Sequence, residues 1–401
     1  MSKKNRKWLV FTIMCLAYMP GSYAQYQLSV YAPELIQSFG LTTSQFSSLF
    51  TAPMIVAIFL SFVGGMISDK VGSKKVINIS FVIAGIGMIG RVFANSYMPF
   101  FLCMALTGFS NMFVNINASK ITASWFEQEK LGILMGIFAF CGQLPGAFAT
   151  ATTAVLFDSR TSAFIVSAIF CISVFVLWLL FVKDKPEDTM EEREKIDQEN
   201  QPSIGDSLKV VLSNKGIWLV SICIMMALGS MVTLSTFMPM ALQTMYGIDL
   251  KVCGTIASML TLGNCIGSIT GPIVFSKIKN VKVFVSGAAV LSFAGIIMCW
   301  RFPSIFVLHI LVLYTGIVLG ASMPIFLSAP VLLEGLGTKY AGSAAGVIST
   351  LQLLGAVLIP TYILTPIAGD NYSLLFMLAS ICMVIMFLCG LLLPQFGNNQ
   401  K

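Results

Sequence analysis

The sequence predicts an all-α membrane protein of twelve transmembrane helices, arranged as two pseudo-symmetric six-helix bundles. Of its 401 residues, 57% are hydrophobic and only 10% are charged, and the mean hydropathy of +0.87 lies well above that of soluble domains. Twelve apolar runs follow one another along the chain, and about 20 apolar residues suffice for one helix to cross a bilayer. The two halves also repeat one pattern of glycine and glutamine. Together these three observations predict the fold.

Six apolar runs fill the N-terminal half, which we assign to residues 1–182. Each is interrupted only by a short polar stretch, as expected for spans joined by tight loops. The runs are residues 8–32, 45–68, 76–94, 98–122, 131–157 and 161–182.

A polar segment, residues 183–213, follows the first half. Its mixed-charge run from Asp184 to Lys195 is too polar to enter lipid and predicts a solvated cytoplasmic linker. The stretch from Ile204 to Leu212 regains an amphipathic pattern, which predicts a short helix along the membrane surface.

Six further apolar runs fill the C-terminal half, assigned to residues 214–401. Their lengths again match single membrane spans. The runs are residues 217–243, 252–275, 281–300, 303–333, 341–367 and 372–393.

Basic residues mark one side of the predicted membrane protein. Of the 24 lysines and arginines, all but Arg91, Arg160, Lys251 and Arg301 fall in segments predicted to lie on the same side of the membrane as the N-terminus. Positive charge concentrates on the cytoplasmic side of membrane proteins. Both termini are therefore expected in the cytoplasm, and the short basic loops favour a bacterial inner membrane.

The fifth and eleventh runs carry the internal repeat. The fifth has Gly132 and Gly136 ahead of a Gln-Leu-x-Gly-Ala sequence that begins at Gln143. The eleventh has Gly342 and Gly346 ahead of the same sequence, beginning at Gln352. Small residues also recur in membrane helices because they allow close packing, but a polar glutamine in both copies favours two related halves.

A short loop between the second and third runs holds the most specific motif. It reads G-x-x-x-D-[RK]-x-G-x-[RK]-[RK], the signature of the major facilitator superfamily, which the chain resembles over nearly its whole length. Glycines permit close helix approach and a tight turn, and lysines hold a loop in the cytoplasm. The resemblance implies that the aspartate helps to latch the outward-facing state. The motif residues are Gly65, Asp69, Lys70, Gly72, Lys74 and Lys75.

The resemblance also implies a central cavity lined by the first, fourth, seventh and tenth spans. Polar residues inside spans are costly unless they face protein or water, so those near the middle of these spans, or of the fifth, eighth and eleventh, are candidates for substrate binding. Each such residue could instead hydrogen-bond a neighbouring helix. The candidates are Ser22, Tyr23, Gln25, Tyr26, Asn111, Asn115, Gln143, Ser230, Asn264, Tyr314 and Gln352.

Arg91 is the basic residue that intrudes furthest into a predicted span. It could attract an anionic substrate. The favoured interpretation is that its long side chain reaches the outer membrane interface.

The residue types exclude most enzyme chemistry. The chain has one histidine and no aspartate or glutamate near the middle of a run, so a metal set or a pair of catalytic carboxylates is not expected. No cofactor or metal is expected, and no nucleic-acid partner.

The predicted function is secondary active transport of a small organic acid, zwitterion or neutral metabolite by alternating access between the two halves. The alternative is an efflux pump for lipophilic drugs, favoured by methionine-rich and phenylalanine-rich spans. The expected partners are the substrate and the lipid bilayer, with the chain as a monomer. A coupling proton or ion stays open, because no central carboxylate is there to carry it.

Overall fold

The computed structural model describes residues 3–126, 128–182, 204–333 and 336–395, and these residues form helices joined by short turns. In the first half, helices follow the predicted runs closely. They are α1 (Lys3–Val30), α2 (Ala32–Phe39), α3 (Thr43–Val71), α4 (Ser73–Phe93), α5 (Tyr97–Trp125), α6 (Gln128–Leu156) and α7 (Arg160–Phe181).

A short helix, α8, lies at the end of the segment predicted as the linker, and the helices of the second half follow it. The eleventh run contains a π-helical turn at Ile359–Leu364 between two α-helical parts. The helices are α8 (Ile204–Ser213), α9 (Lys215–Tyr246), α10 (Leu250–Ile278), α11 (Val281–Met298), α12 (Ile305–Ala321), α13 (Met323–Leu332), α14 (Gly337–Leu358), α15 (Thr365–Ala368) and α16 (Tyr372–Leu392).

Eleven segments of the described residues are helical, long and apolar enough to cross a membrane. They correspond to the second through twelfth predicted spans. The first predicted span, α1, is 28 residues long, but its run of serine, tyrosine and glutamine lowers its mean hydropathy. The membrane architecture is therefore confirmed for eleven spans. The first predicted span, which would bring the number to twelve, stays a prediction.

Two predicted spans differ in detail from the helices observed. The first run ends in a separate helix, α2, which starts beside Pro33, and the tenth run breaks at Ser322, where α13 begins with Pro324 in its first turn. Proline has no backbone N–H to give to a preceding turn, so it suits the first turn of a new helix. Apolar composition alone does not show such a break.

The chain divides into two units. One comprises the first half together with residues 247–258, and the other comprises the rest of the second half. In the first unit α1 packs against α6 and α7, and α4 packs against α5 and α7. In the second, α9 packs against α14 and α16, and α11 packs against α12 and α16. Because these helices hold corresponding positions along the two halves, both bundles repeat one pattern of neighbours.

Glycines bring two helices of the second unit into backbone contact. A Cβ atom added to Gly263, Gly267 or Gly271 of α10 would collide with backbone atoms of α12. Conversely, a Cβ on Gly316 or Gly320 of α12 would collide with the backbone of α10. Helices in lipid associate through such small-residue contacts, because no hydrophobic driving force holds them together there.

Candidate substrate-binding surface

The polar face of α1 lies where α5 and α6 pack against that helix. Tyr18, Ser22 and Tyr26 are half-buried, and their spacing of four residues places them on one side of the helix. The hydroxyl groups of this face can donate and accept hydrogen bonds without carrying charge. It forms the centre of the candidate surface.

Asn111 of α5 is inserted against the backbone of α1. One orientation of the Asn111 amide gives hydrogen-bond partners to both its nitrogen and its oxygen. In that orientation the nitrogen donates to the Tyr18 carbonyl (3.1 Å), and the oxygen accepts from the Ser22 N–H (3.1 Å) and hydroxyl (3.0 Å). Gly21 makes this approach possible, since a Cβ there would lie 2.5 Å from the nearest atom of the Asn111 side-chain amide. One turn along α5, Asn115 is exposed.

Aromatic rings of α1 pack over glycines of α6. The Tyr18 ring covers Gly142, and the Tyr26 ring lies 3.0 Å from where a Cβ of Gly146 would stand. Tyr18 also lies beside Phe138, with ring centroids 4.9 Å apart. Gln143, half-buried, sits between the two glycines in sequence. The repeated Gln-Leu-x-Gly-Ala sequence of the first half therefore lies against the polar helix α1.

Two other predicted residues of α1 lie apart from this face. Gln25 is buried and donates its amide to the Phe50 carbonyl at 2.8 Å, so it links α1 to α3. Tyr23 packs edge-on against Phe170 and lines a cavity of about 400 Å³ between α1, α6 and α7. The other lining residues are apolar: Met19, Leu144, Pro145, Phe148, Val166 and Phe170.

In the second unit, three predicted residues form contacts between its own helices. Buried Ser230 of α9 donates to the Ala379 carbonyl of α16 at 2.8 Å, and buried Asn264 of α10 lies 3.1 Å from the Met231 sulfur. The Tyr314 hydroxyl of α12 reaches the Leu291 carbonyl of α11 at 3.5 Å. These contacts are of the interhelical kind that was the alternative to substrate binding.

Gln352, like Tyr314, is half-buried, whereas Ser230 and Asn264 are buried. It stands in α14, three residues before Gly355, whose Cα lies close enough to α9 that an added Cβ would be 2.5 Å from the Met225 carbonyl. The second copy of the glutamine repeat therefore faces α9 much as the first copy faces α1.

The interpretation that Arg91 reaches the membrane interface is wrong. Its side chain is only 1% exposed and points into the first bundle. The guanidinium donates to the Ala24 carbonyl and to Gln27 Oε1, both at 2.9 Å, and to the Ser167 hydroxyl. It also lies 4.4 Å from the centroid of the Phe164 ring. No carboxylate among the described residues pairs with it, so its charge is held by neutral acceptors and one aromatic face.

Gln27, which is not among the predicted site residues, is the side-chain amide partner of Arg91. It is fully buried, and besides accepting from Arg91 it donates to the Ala163 carbonyl at 3.2 Å. Asn117, also passed over, donates to the Ser68 hydroxyl at 2.9 Å and so joins α5 to α3. No pattern in the sequence pairs these residues, because their partners come from distant helices.

The motif loop joins α3 to α4. Gly72 has φ of +96°, which a glycine adopts without strain, and it both ends α3 and precedes α4. Gly65, Asp69 and Lys70 fall in α3, but the side chains of Asp69 and Lys70 lie outside the part that the structure describes. Lys74 is half-buried and Lys75 is exposed. The latch role that the resemblance implies for Asp69 therefore stays a prediction.

Eleven helices of membrane-spanning length among the described residues, with neutral polar groups between helices of the first unit, define a multi-pass membrane protein. A sequence model described as Major Facilitator Superfamily matches residues 10–360. The chain belongs to that superfamily.

Individual relatives are distant but cover most of the chain. The chain is 24% identical over 364 residues to the "Probable sulfoacetate transporter SauU" of Cupriavidus necator, covering 85% of this chain and 83% of the relative. It is 22% identical over 309 residues to the galacturonate transporter of Dickeya chrysanthemi, covering 74% and 90%. Among solved structures, it resembles a bacterial homologue of the human lysosomal transporter Spinster, in an inward-facing and unoccupied conformation. That likeness has a TM-score of 0.78 at 13% identity and covers 98% and 95% of the two chains.

Proposed function

We propose that this protein is a secondary active transporter that moves a small organic acid across the bacterial cytoplasmic membrane by alternating access. In this proposal both termini are cytoplasmic and the protein works as a monomer. The observation that carries it is the neutral, hydrogen-bonding face of α1 with Asn111, Asn115 and Gln143 beside it.

This face suits an oxygen-rich anion. Hydroxyl and amide groups donate hydrogen bonds to carboxylate or sulfonate oxygens, and no aspartate or glutamate stands near the middle of the first, fourth or fifth spans to repel the anion. One named relative is described as a probable sulfoacetate transporter and the other as a galacturonate transporter, and both compounds are anions with several oxygen atoms. The acid therefore has chemical precedent among the relatives.

Arg91 supports anion binding indirectly. Its charge lies inside the first bundle and is hydrogen-bonded directly to α1 at Ala24 and Gln27. Its donors are directed at protein acceptors. Its charge still contributes positive potential to the bundle. In the proposal it acts without touching the substrate.

The test is uptake into proteoliposomes that contain the purified protein. Radiolabelled galacturonate and sulfoacetate are assayed first, with an amino acid and a lipophilic cation as comparison substrates, at several pH values and with or without sodium. Saturable uptake of an organic acid supports the proposal. Transport of the lipophilic cation alone would favour the efflux alternative and overturn it.

Variants then locate the binding surface. Asn115→Ala and Gln143→Ala are expected to raise KM about three- to tenfold, because each removes one hydrogen bond to the substrate. Tyr23→Phe is the matched control, since its ring lines the separate apolar cavity. If Asn115→Ala and Gln143→Ala leave KM unchanged while Tyr23→Phe raises it, the surface is misplaced.

A further inference from the structure

A groove opens in the second unit where α9 and α11 begin and α16 ends. Its volume is about 760 Å³, within the range of roughly 300–1,000 Å³ that is typical of small-molecule sites. Two lysines, Lys215 and Lys282, stand at its edge, and apolar side chains form most of its wall. The apolar lining residues are Trp218, Leu219, Leu333, Leu392, Leu393 and Pro394.

The groove lies at the level where the hydrocarbon core ends. Lys215 is the first residue of one candidate membrane span and Lys282 the second residue of another, while Leu392 ends a third. A bilayer places phosphate groups at this level and acyl chains just below it. The charged edge and the apolar wall of the groove match those two layers.

The floor of the groove is built by specific contacts. A Cβ on Gly216 would lie 2.9 Å from the Leu333 side chain and 3.1 Å from Pro394, so the absence of a side chain there keeps the floor open. Gln395 joins the two sides: its oxygen accepts from the Val281 N–H at 3.2 Å, and its nitrogen donates to the Lys279 carbonyl at 2.8 Å. The groove therefore has fixed walls.

Positive potential collects at the mouth of the groove. Lys215 and Lys282 are exposed, and neither pairs with a carboxylate of the described residues. No lining residue is acidic. The first turns of α9 and α11 point their N–H groups toward this end, which adds partial positive charge.

The apolar side of the groove continues onto the lipid-facing surface. Leu392 is 69% exposed and Trp218 is 42% exposed. The Trp218 ring nitrogen donates to the Leu212 carbonyl at 2.8 Å, which fixes the ring with its apolar faces outward. Tryptophan with one polar tip is typical of the membrane interface.

We propose that this groove binds an anionic phospholipid, with the phosphate and its headgroup between Lys215 and Lys282 and the acyl chains along Trp218 and Leu392. Basic pockets at the ends of membrane helices recognise anionic headgroups in this way. The site belongs to the second unit, whereas the polar face of α1 belongs to the first, and it does not depend on the proposed transport function.

The experiment compares two lipids that differ only in headgroup charge. The delipidated, detergent-purified protein is titrated with phosphatidylglycerol or phosphatidylcholine of identical acyl chains, and bound lipid is counted by native mass spectrometry. Phosphatidylglycerol is expected to bind about 25-fold more tightly, since each of the two lysines near an anionic headgroup adds roughly fivefold. Equal binding of the two lipids would overturn the proposal, and so would inorganic phosphate that competes as well as the lipid does.

Two sets of variants test the location. The double variant Lys215→Gln with Lys282→Gln is expected to lose the preference for phosphatidylglycerol, whereas Lys277→Gln with Lys251→Gln, two exposed lysines outside the groove, keeps it. If both double variants keep it, the site lies elsewhere.

A quenching measurement is independent of the lysine variants. Phosphatidylglycerol with brominated acyl chains is expected to quench a smaller fraction of the tryptophan fluorescence in Trp218→Phe than in the wild type. The variant lacks the ring that, in this proposal, lies against the acyl chains and is quenched most strongly. Equal fractional quenching in the two proteins would contradict the assigned position of the acyl chains.

Discussion

Arg91 of α4 donates a hydrogen bond of 2.9 Å to the side-chain oxygen of Gln27 in α1. Both side chains are buried, and Gln27 in turn donates to the Ala163 carbonyl of α7. Three helices of the first bundle are thereby joined through one buried charge. The energetic consequences of this link are open to direct measurement.

We expect Gln27→Leu to lower the melting temperature of the detergent-purified protein. The variant removes an acceptor from a buried guanidinium, and a hydrogen bond to a charged group contributes about 1.5–3 kcal/mol. Arg91→Met should cost less, because it removes the charge together with its need for acceptors. The double variant should then be no less stable than Gln27→Leu alone, and strictly additive losses would contradict the coupling.

Gly21→Ala is expected to destabilise the first bundle by about 1–3 kcal/mol through overpacking. The new Cβ would lie 2.5 Å from the nearest atom of the Asn111 side-chain amide, so the amide would have to give up its hydrogen bonds to Tyr18 and Ser22. Adding Asn111→Ala should recover part of the loss, as measured by thermal unfolding. Gly85→Ala is the control, since nothing lies within 4 Å of its added Cβ; a loss there as large as at Gly21 would argue against the contact.

Gly267→Ala should be more damaging than Gly21→Ala. The atoms that its Cβ meets belong to the backbone of Ile317 and Ala321, and a backbone cannot rotate away as a side chain can. We expect strongly reduced yield of folded protein by fluorescence-detected size-exclusion chromatography. Gly287→Ala has open space around its Cβ and should be neutral or gain up to about 1 kcal/mol of helix propensity, so similar behaviour of the two variants would refute the close α10–α12 approach.

Asp69→Asn is expected to abolish most transport while membrane insertion stays normal. The prediction follows from the loop motif, in which the aspartate is the one acidic position among basic ones. Uptake by proteoliposomes and the yield of inserted protein are measured on the same preparation, with Asp158→Asn, a change in a different loop, alongside. Wild-type flux in Asp69→Asn would remove the latch assignment.

The sequence predicted the architecture because architecture depends on local composition. A run of apolar residues such as 161–182 favours a membrane helix whatever surrounds it, and the motif from Gly65 to Lys75 is read within a single loop. The turn at Gly72 was predicted for the same reason, since its positive φ is a property of one residue. Helix breaks at Tyr31 and Ser322 were not predicted, because proline placement was a weaker signal than the continuous apolar run.

The candidate surface was predicted only in part. Asn111, Ser22 and Gln143 were identified as polar positions inside membrane spans, and the structure brings Asn111 and Ser22 into contact. Whether a polar residue faces a ligand or a neighbouring helix depends on which helix packs there, and Ser230 and Asn264 show the second outcome. That choice stays a prediction for Gln143 and Asn115, to be settled by transport measurements.

The sequence by itself determined that this chain is a helical membrane protein of two related halves, because hydropathy and short motifs are written in consecutive residues. Only the tertiary structure decided that the Arg91 side chain is buried and which groups accept its hydrogen bonds. Its partners Gln27 and Ser167 stand 64 and 76 positions away along the chain. A buried charge needs acceptors that surround it in space, and residues far apart in sequence supply them only once the helices have packed.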